Sequence, residues 1–168
     1  SWDLKSAPVD ILGATVSRGP TFTADETPTL EVSAGSSTAI AASLNGVQNE
    51  LALWTAPVSS SRDVKTPWQM VAARTDDVTA AKVAGDSVFL LSHKNAPTFQ
   101  ILSLRIGHPL ASARVLVPAV ADRVIEAMYP ASDGLYVLTR KRAYSQLLRI
   151  AYASGAAEVI ALPFEGLI

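Results

Sequence analysis

Residues 85–97, GDSVFLLSHKNAP, pass from a turn through an unbroken apolar run to a polar stop tipped by His93 and Lys94. The pattern recurs. Val88-Phe89-Leu90-Leu91 corresponds to Leu135-Tyr136-Val137-Leu138 at an offset of 135 − 88 = 47. Gln100-Ile101-Leu102 then corresponds to Gln146-Leu147-Leu148 (146 − 100 = 46), and Pro118 to Pro163 (163 − 118 = 45). Upstream, TAIAASL at 38–44, NELALWTA at 49–56 and WQMVA at 68–72 follow in the same order. Three units result, at 28–73, 77–118 and 122–163, each with four short runs separated by Gly, Asp, Asn, Ser or Pro. In the middle unit the runs are 78–84, 88–92, 99–105 and 114–117.

The runs are short, β-branched and aromatic, which favours strands over the helix pairs of solenoids with similar periods. Only HPLASARVL, around 108–116, leaves room for a helical turn. Continuous runs such as VFLL and LYVL fit inner strands covered on both faces. Four strands in a period in the mid-forties is what a propeller blade needs, because each twisted sheet buries both faces against its neighbours. The expected fold is all-β, with about three four-stranded antiparallel blades of an incomplete β-propeller. Residues 1–27 read as outer strands of a truncated blade, and 164–168 as the start of the next blade or a linker. Three blades leave two apolar sheet faces without a neighbour, so self-association through the open faces is expected.

Composition narrows the function classes. With 168 residues and 49% hydrophobic content, a sizeable core is available. A net charge of -1 gives no pull toward nucleic acid or anionic lipid. The absence of cysteine removes disulfides, thiolate nucleophiles and cysteine-based metal sites. Mean hydropathy is +0.25, yet charge, Pro or Gly breaks every apolar run well short of the roughly 18 residues that argue a membrane span. The chain reads as soluble, with its compartment open between cytoplasmic and periplasmic, and as a piece of a longer protein.

The candidate chemistry lies at the hairpins between second and third strands, at 45–49, 93–97 and 140–144, which should emerge on one face of a propeller. That face gathers Gln48, His93, Lys94, Arg140, Lys141 and Arg142, a polar and partly basic rim. Wet hairpin tips are polar for reasons of solvation alone. Catalysis by His93 would require a carboxylate or nucleophile beside it, and sequence places none there. The two histidines, His93 and His108, lie without an acidic cluster at ligand spacing, so no metal or cofactor is expected. Asp76 and Asp77 read as turn chemistry. Phosphate-loop, dinucleotide and Gly-x-Ser-x-Gly signatures are missing from these residues. The three tryptophans, Trp2, Trp54 and Trp68, read as packing residues, and Gly46 and Gly134 as turn residues with positive backbone angles.

PVDILG, NGVQNELALWTAP, PWQMVA, GDSVFLLSHKNAPTFQILSL and ALPFEGLI, in this order and at these separations, resemble the propeller of the prolyl oligopeptidase family of serine peptidases. Thr98 departs from the pattern, since bacterial relatives often carry Arg after HKDAP. The resemblance implies a seven-bladed propeller capping a catalytic α/β-hydrolase domain in the same parent chain. That parent would be a serine-type prolyl endopeptidase acting on short proline-containing peptides, with the propeller limiting entry. It carries no catalytic residue onto this chain. The hairpins with Val47 and Gln48 and with His93 and Lys94 match loops that in this family face the catalytic domain, while Arg142 shares their rim. The rival expectation is a non-enzymatic propeller module that binds a protein partner on its loop face.

Overall fold

The computed structural model describes residues 10–16, 19–33, 35–61, 65–163 and 166. These form three four-stranded antiparallel sheets in which sequence neighbours pair. The first sheet holds β1 (Glu26–Val32), β2 (Thr38–Asn45), β3 (Ala52–Pro57) and β4 (Gln69–Ala72). The second holds β5 (Val78–Ala84), β6 (Ser87–Ser92), β7 (Gln100–Arg105) and β8 (Arg114–Val117), and the third β9 (Val124–Ala131), β10 (Gly134–Lys141), β11 (Tyr144–Ile150) and β12 (Ala157–Ile160). Helical geometry among the described residues is confined to 3-10 turns at Arg74–Asp76 and Leu110–Ser112. The second turn falls where the sequence left room for one.

The unbroken apolar run of β6 has a simple cause. Successive side chains point to opposite faces, and both faces are covered. Val88 and Leu90 join Ile40, Ala42, Leu53 and Ala72 of the first sheet. Phe89 and Leu91 join Ile125, Met128, Leu135, Val137, Leu148 and Ile150 of the third. An alternating polar residue on this strand would have left an unsatisfied group inside one of the two seams. The first strands β5 and β9 of neighbouring sheets approach each other, and β5 also meets β2, so the sheets stack as blades do. Register shifts at Leu53/Trp54 and Ile101/Leu102 place a bulge between the third and fourth strands in two of the sheets, which increases the twist of their outer edges.

The outer face of the first sheet is partly covered by the chain that precedes it. Phe22 and Leu12 pack on Ala41, Ala52 and Trp54, with the Phe22 and Trp54 ring centroids 5.5 Å apart. The described part of 10–25 carries no strand. The rest of the expected outer strands, at residues 1–9, 17 and 18, lies outside the described residues, as does 164–168 apart from Gly166. Beyond this cover, Leu30 and Val32 on β1 stay exposed. The far face of the third sheet presents Tyr129, 57% exposed, beside Tyr136, with which it pairs across the strands.

Gly134 corrects one expectation. Gly46 has the positive angle expected of it, φ 57°, whereas Gly134 is not among the residues with positive φ. Its side-chain-free Cα is needed for another reason. A Cβ there would stand 2.8 Å from the Ile150 carbonyl oxygen, closer than packed atoms allow. In the matching turn of the second sheet the positive angle falls on Gly85, φ 58°.

Candidate functional site at the loop end of the sheets

The connections from second to third strand lie together at one end. Leu51, in the first of them, donates its backbone N–H to Val78 O at the start of β5, 2.8 Å away. Thr98 O, in the second, accepts from Ile125 N at the start of β9 at 3.1 Å. Val124 pairs with Arg140, so the third connection, after Lys141, stands at this same end. Ser145 N repeats the stitch with Gly166 O at 2.8 Å. The acceptors and donors in these connections, Leu51, Thr98 and Ser145, recur at the sequence period, since 98 − 51 = 47 and 145 − 98 = 47.

Within the first connection Gly46 supplies the left-handed step, Gln48 N closes the turn on Asn45 O at 3.1 Å, and Val47 is 99% exposed at the tip. The second is more tightly built. His93 N donates to Asp77 O, Ala96 N to His93 O and Phe99 N to Ala96 O, and buried Ser92 receives the Lys94 N–H at 3.1 Å while donating to Asp76 O. Asn95 sits at φ 54° and Phe99 at φ 67°. Asn adopts this region readily; an aromatic residue does so only where packing holds it. The third connection is a two-residue turn, since Lys141 pairs directly with Tyr144, and Arg142 at φ 57° stands exposed on it.

The structure brings His93 and Lys94 into contact with acids that the sequence did not place beside them. His93 Nε2 lies 3.0 Å from Glu50 Oε1, across the boundary between sheets, and the Phe99 ring stands edge-on behind the imidazole at 5.5 Å. A hydrogen bond from its own backbone N–H, followed by that from His93, holds the Glu50 carboxyl below the usual carboxylate range. Lys94 Nζ donates to Asp76 Oδ1 at 2.9 Å and to Thr75 O at 3.0 Å. That bond, reinforced by the Ala73 N–H, lowers the Asp76 carboxyl as well. Asp76 and Asp77 thus do serve the turn, Asp76 by accepting from Ala73 N and Asp77 with φ 54°, and Asp76 also neutralises the rim.

The basic rim is therefore largely compensated. Arg140 pairs with Glu126 at 2.8 Å and Lys141 with Asp122 at 2.5 Å. Lys141 lies 141 − 94 = 47 residues beyond Lys94, and Asp122 lies 122 − 76 = 46 beyond Asp76, so one acid–lysine contact is used in both sheets. The signal was present in the pairing rule. In antiparallel neighbours the entry to the first strand stands opposite the exit from the second, which puts these acids within reach of these lysines. Val47, Gln48 and Arg142 gain no such partner in the structure and form the exposed points of the face. Among the described residues no group of three or more His, Cys, Asp or Glu could hold a metal ion.

Comparison with known proteins gives the same picture of the fold. A solved prolyl endopeptidase, from work on inter-domain dynamics in catalysis and specificity, is 19% identical over 84% of this chain and 20% of its own, with a TM-score of 0.66. Prolyl oligopeptidase B from Galerina marginata, as the apo protein, is 14% identical over 85% of this chain and 20% of its own, with a TM-score of 0.70. A mutant of that enzyme bound to a 35mer hydrolysis and macrocyclization substrate gives 0.69. The chain thus spans about a fifth of the length of the solved structures it matches. No curated protein matches it. The family model described as the prolyl oligopeptidase N-terminal β-propeller domain matches residues 21–167, and with three stacked four-stranded sheets over those residues the chain belongs to that family.

Proposed function

We propose that these sheets are a non-catalytic part of the propeller of a prolyl oligopeptidase-like serine peptidase, gating the access of short proline-containing peptides to a catalytic α/β-hydrolase domain outside these residues. The observation that carries this reading is the family match over residues 21–167. The geometry supports it in one respect: the connections bearing Val47, Gln48, His93, Lys94 and Arg142 share one end of the sheets, as a face turned toward a second domain requires. On this reading the peptidase forms its acyl-enzyme with a serine and an oxyanion hole supplied elsewhere. The work of the loop face is shape and charge. Neighbouring blades would cover Leu30, Val32 and Tyr129; in their absence the same surfaces associate with further copies of the chain.

The test uses a proline-linked chromogenic peptide. The purified chain should leave it uncut, and turnover that tracks the chain through purification would end the proposal. The parent reading frame is the companion observation: a downstream Gly-x-Ser-x-Gly followed by Asp and His is expected, whereas further blades alone would favour a scaffold that binds a protein partner on its loop face. Sedimentation over a range of concentrations should show association, and a monodisperse monomer would remove the open-face claim.

A further inference from the structure

The two seams between the sheets are built differently. Between the second and third sheets the buried contacts include Phe89, Met128 and seven Leu or Ile side chains, with Phe99 and Tyr152 packed against them. The Phe89 and Tyr152 rings stack at 5.4 Å. Between the first and second sheets the buried set is Ile40, Ala42, Leu53, Ala72, Val78, Val83, Val88 and Leu90, smaller side chains with no ring among them. A cleft of about 270 Å³ lies in that seam, between Thr55, Met70 and Val71 on one side and Val88, Leu104 and Ile106 on the other, while a wider one of about 630 Å³ is shared by both seams, among Ser36, Val83, Phe89, Ala131 and Tyr152. Unfilled space forfeits dispersion contacts on both walls. What the first seam has in addition is polar. Lys82 Nζ forms an ion pair with Glu31 at 2.7 Å, and His93 Nε2 lies at hydrogen-bond distance from Glu50, 3.0 Å. Lys82 and Glu31 are about a third to a half exposed, a setting in which salt screens the pair.

We infer that the seam between the first and second sheets is the one that opens, with the Glu31–Lys82 ion pair and the Glu50–His93 hydrogen bond as latches, while the second and third sheets stay together as a unit. Burial of apolar side chains sets the strength of a dry seam, and the first seam's buried cluster has eight such residues, with no aromatic ring among them, against ten in the second. Local opening follows the weakest cooperative boundary. The inference rests on the packing of the seams and does not depend on the peptidase reading.

Two amides serve as matched reporters. Leu51 N–H crosses the first seam to Val78 O, and Ile125 N–H crosses the second to Thr98 O. The experiment is residue-resolved amide hydrogen exchange on the 168-residue chain at low and high sodium chloride, with Gln48 N–H, bonded inside its own turn, as the measure of loop fraying. Leu51 is expected to be less protected than Ile125 by about tenfold or more, since opening free energies differ between cooperative units. High salt should widen that ratio, Lys82→Met should reduce the salt effect, and Glu50→Gln, which weakens the hydrogen bond to His93, should lower Leu51 protection, both substitutions leaving Ile125 unchanged. Equal protection at the two amides would overturn the inference. So would a Leu51 rate that follows Gln48 and ignores both salt and the two substitutions.

Discussion

Phe99 holds a left-handed backbone, φ 67°, with its ring edge-on to the His93 imidazole, centroids 5.5 Å apart and planes inclined at 66°. The ring is also packed against the cluster between the second and third sheets, and the Phe99 N–H donates to Ala96 O at 2.8 Å. Packing and hydrogen bonding together hold a conformation that an aromatic residue avoids when free.

Phe99→Ala is therefore expected to destabilise the chain by about 2–3 kcal/mol, toward the low end for aromatic truncations because the ring is only partly buried. Phe99→Gly should cost less than a truncation usually does, as relief of the left-handed strain offsets part of the lost packing. Urea midpoints of the two variants check the order. Phe99→Gly falling well below Phe99→Ala would show that strain is not stored at this residue.

The close approach of Gly134 to the Ile150 carbonyl predicts a steric effect with a specific control. Gly134→Ala should destabilise by about 1–3 kcal/mol, because backbone atoms rather than a flexible side chain stand in the way. At Gly46 an added Cβ meets open space, so Gly46→Ala should cost only the left-handed penalty, about 1 kcal/mol. Thermal unfolding of the pair gives the comparison, and equal losses would count against the contact.

The acid limb of stability should include Asp76. Its carboxyl is lowered chiefly by the Lys94 hydrogen bond and then by the Ala73 N–H. A depressed folded value means that the contribution is present above the unfolded carboxylate value of about 3.9 and is lost as pH falls through the folded one. Asp76→Asn should flatten stability against pH below about pH 4 and cost under about 1 kcal/mol at neutral pH, as befits a solvent-facing pair. Lys94→Met should reproduce part of the flattening, and the double variant should add nothing for the shared bond. Parallel pH profiles for Asp76→Asn and the parent chain would exclude the pair from the acid limb.

The contact that recurs as Asp122–Lys141 offers a check on whether the rim is structural. Asp122 is lowered first by the Lys141 hydrogen bond, with both side chains about half exposed. Lys141→Gln is expected to leave the unfolding midpoint within error, while Arg142→Glu should also spare it. Circular dichroism melts decide this, and a large loss from either substitution would mean that the rim carries the fold.

The local pattern was enough for the strands, their order and their fourfold grouping. Runs such as VFLL and LYVL must have both sides covered, whatever the neighbours are, and turn residues at a period in the mid-forties divide the chain into units that pair with their own neighbours in sequence. The position of the hairpin tips carrying Val47, Gln48, His93, Lys94 and Arg142 followed from that grouping, because antiparallel order sends every second-to-third connection to the same end. What touches those tips did not follow. Glu50 meets His93 from a different sheet, a contact that exists only after the sheets stack; the acid partners of Lys94, Arg140 and Lys141 come from the entry to, or the body of, the first strand of the same sheet, and they follow only once the pairing within that sheet is fixed. Gly134 shows the same division: a glycine in a turn is legible as such, while the carbonyl that forbids a Cβ there belongs to β11. Hydrophobic periodicity is a property of one strand and its two faces, so sequence alone determines it. Charge pairing, close approach and the unequal filling of the two seams depend on distances between segments remote in the chain, and those distances are fixed only by the tertiary structure.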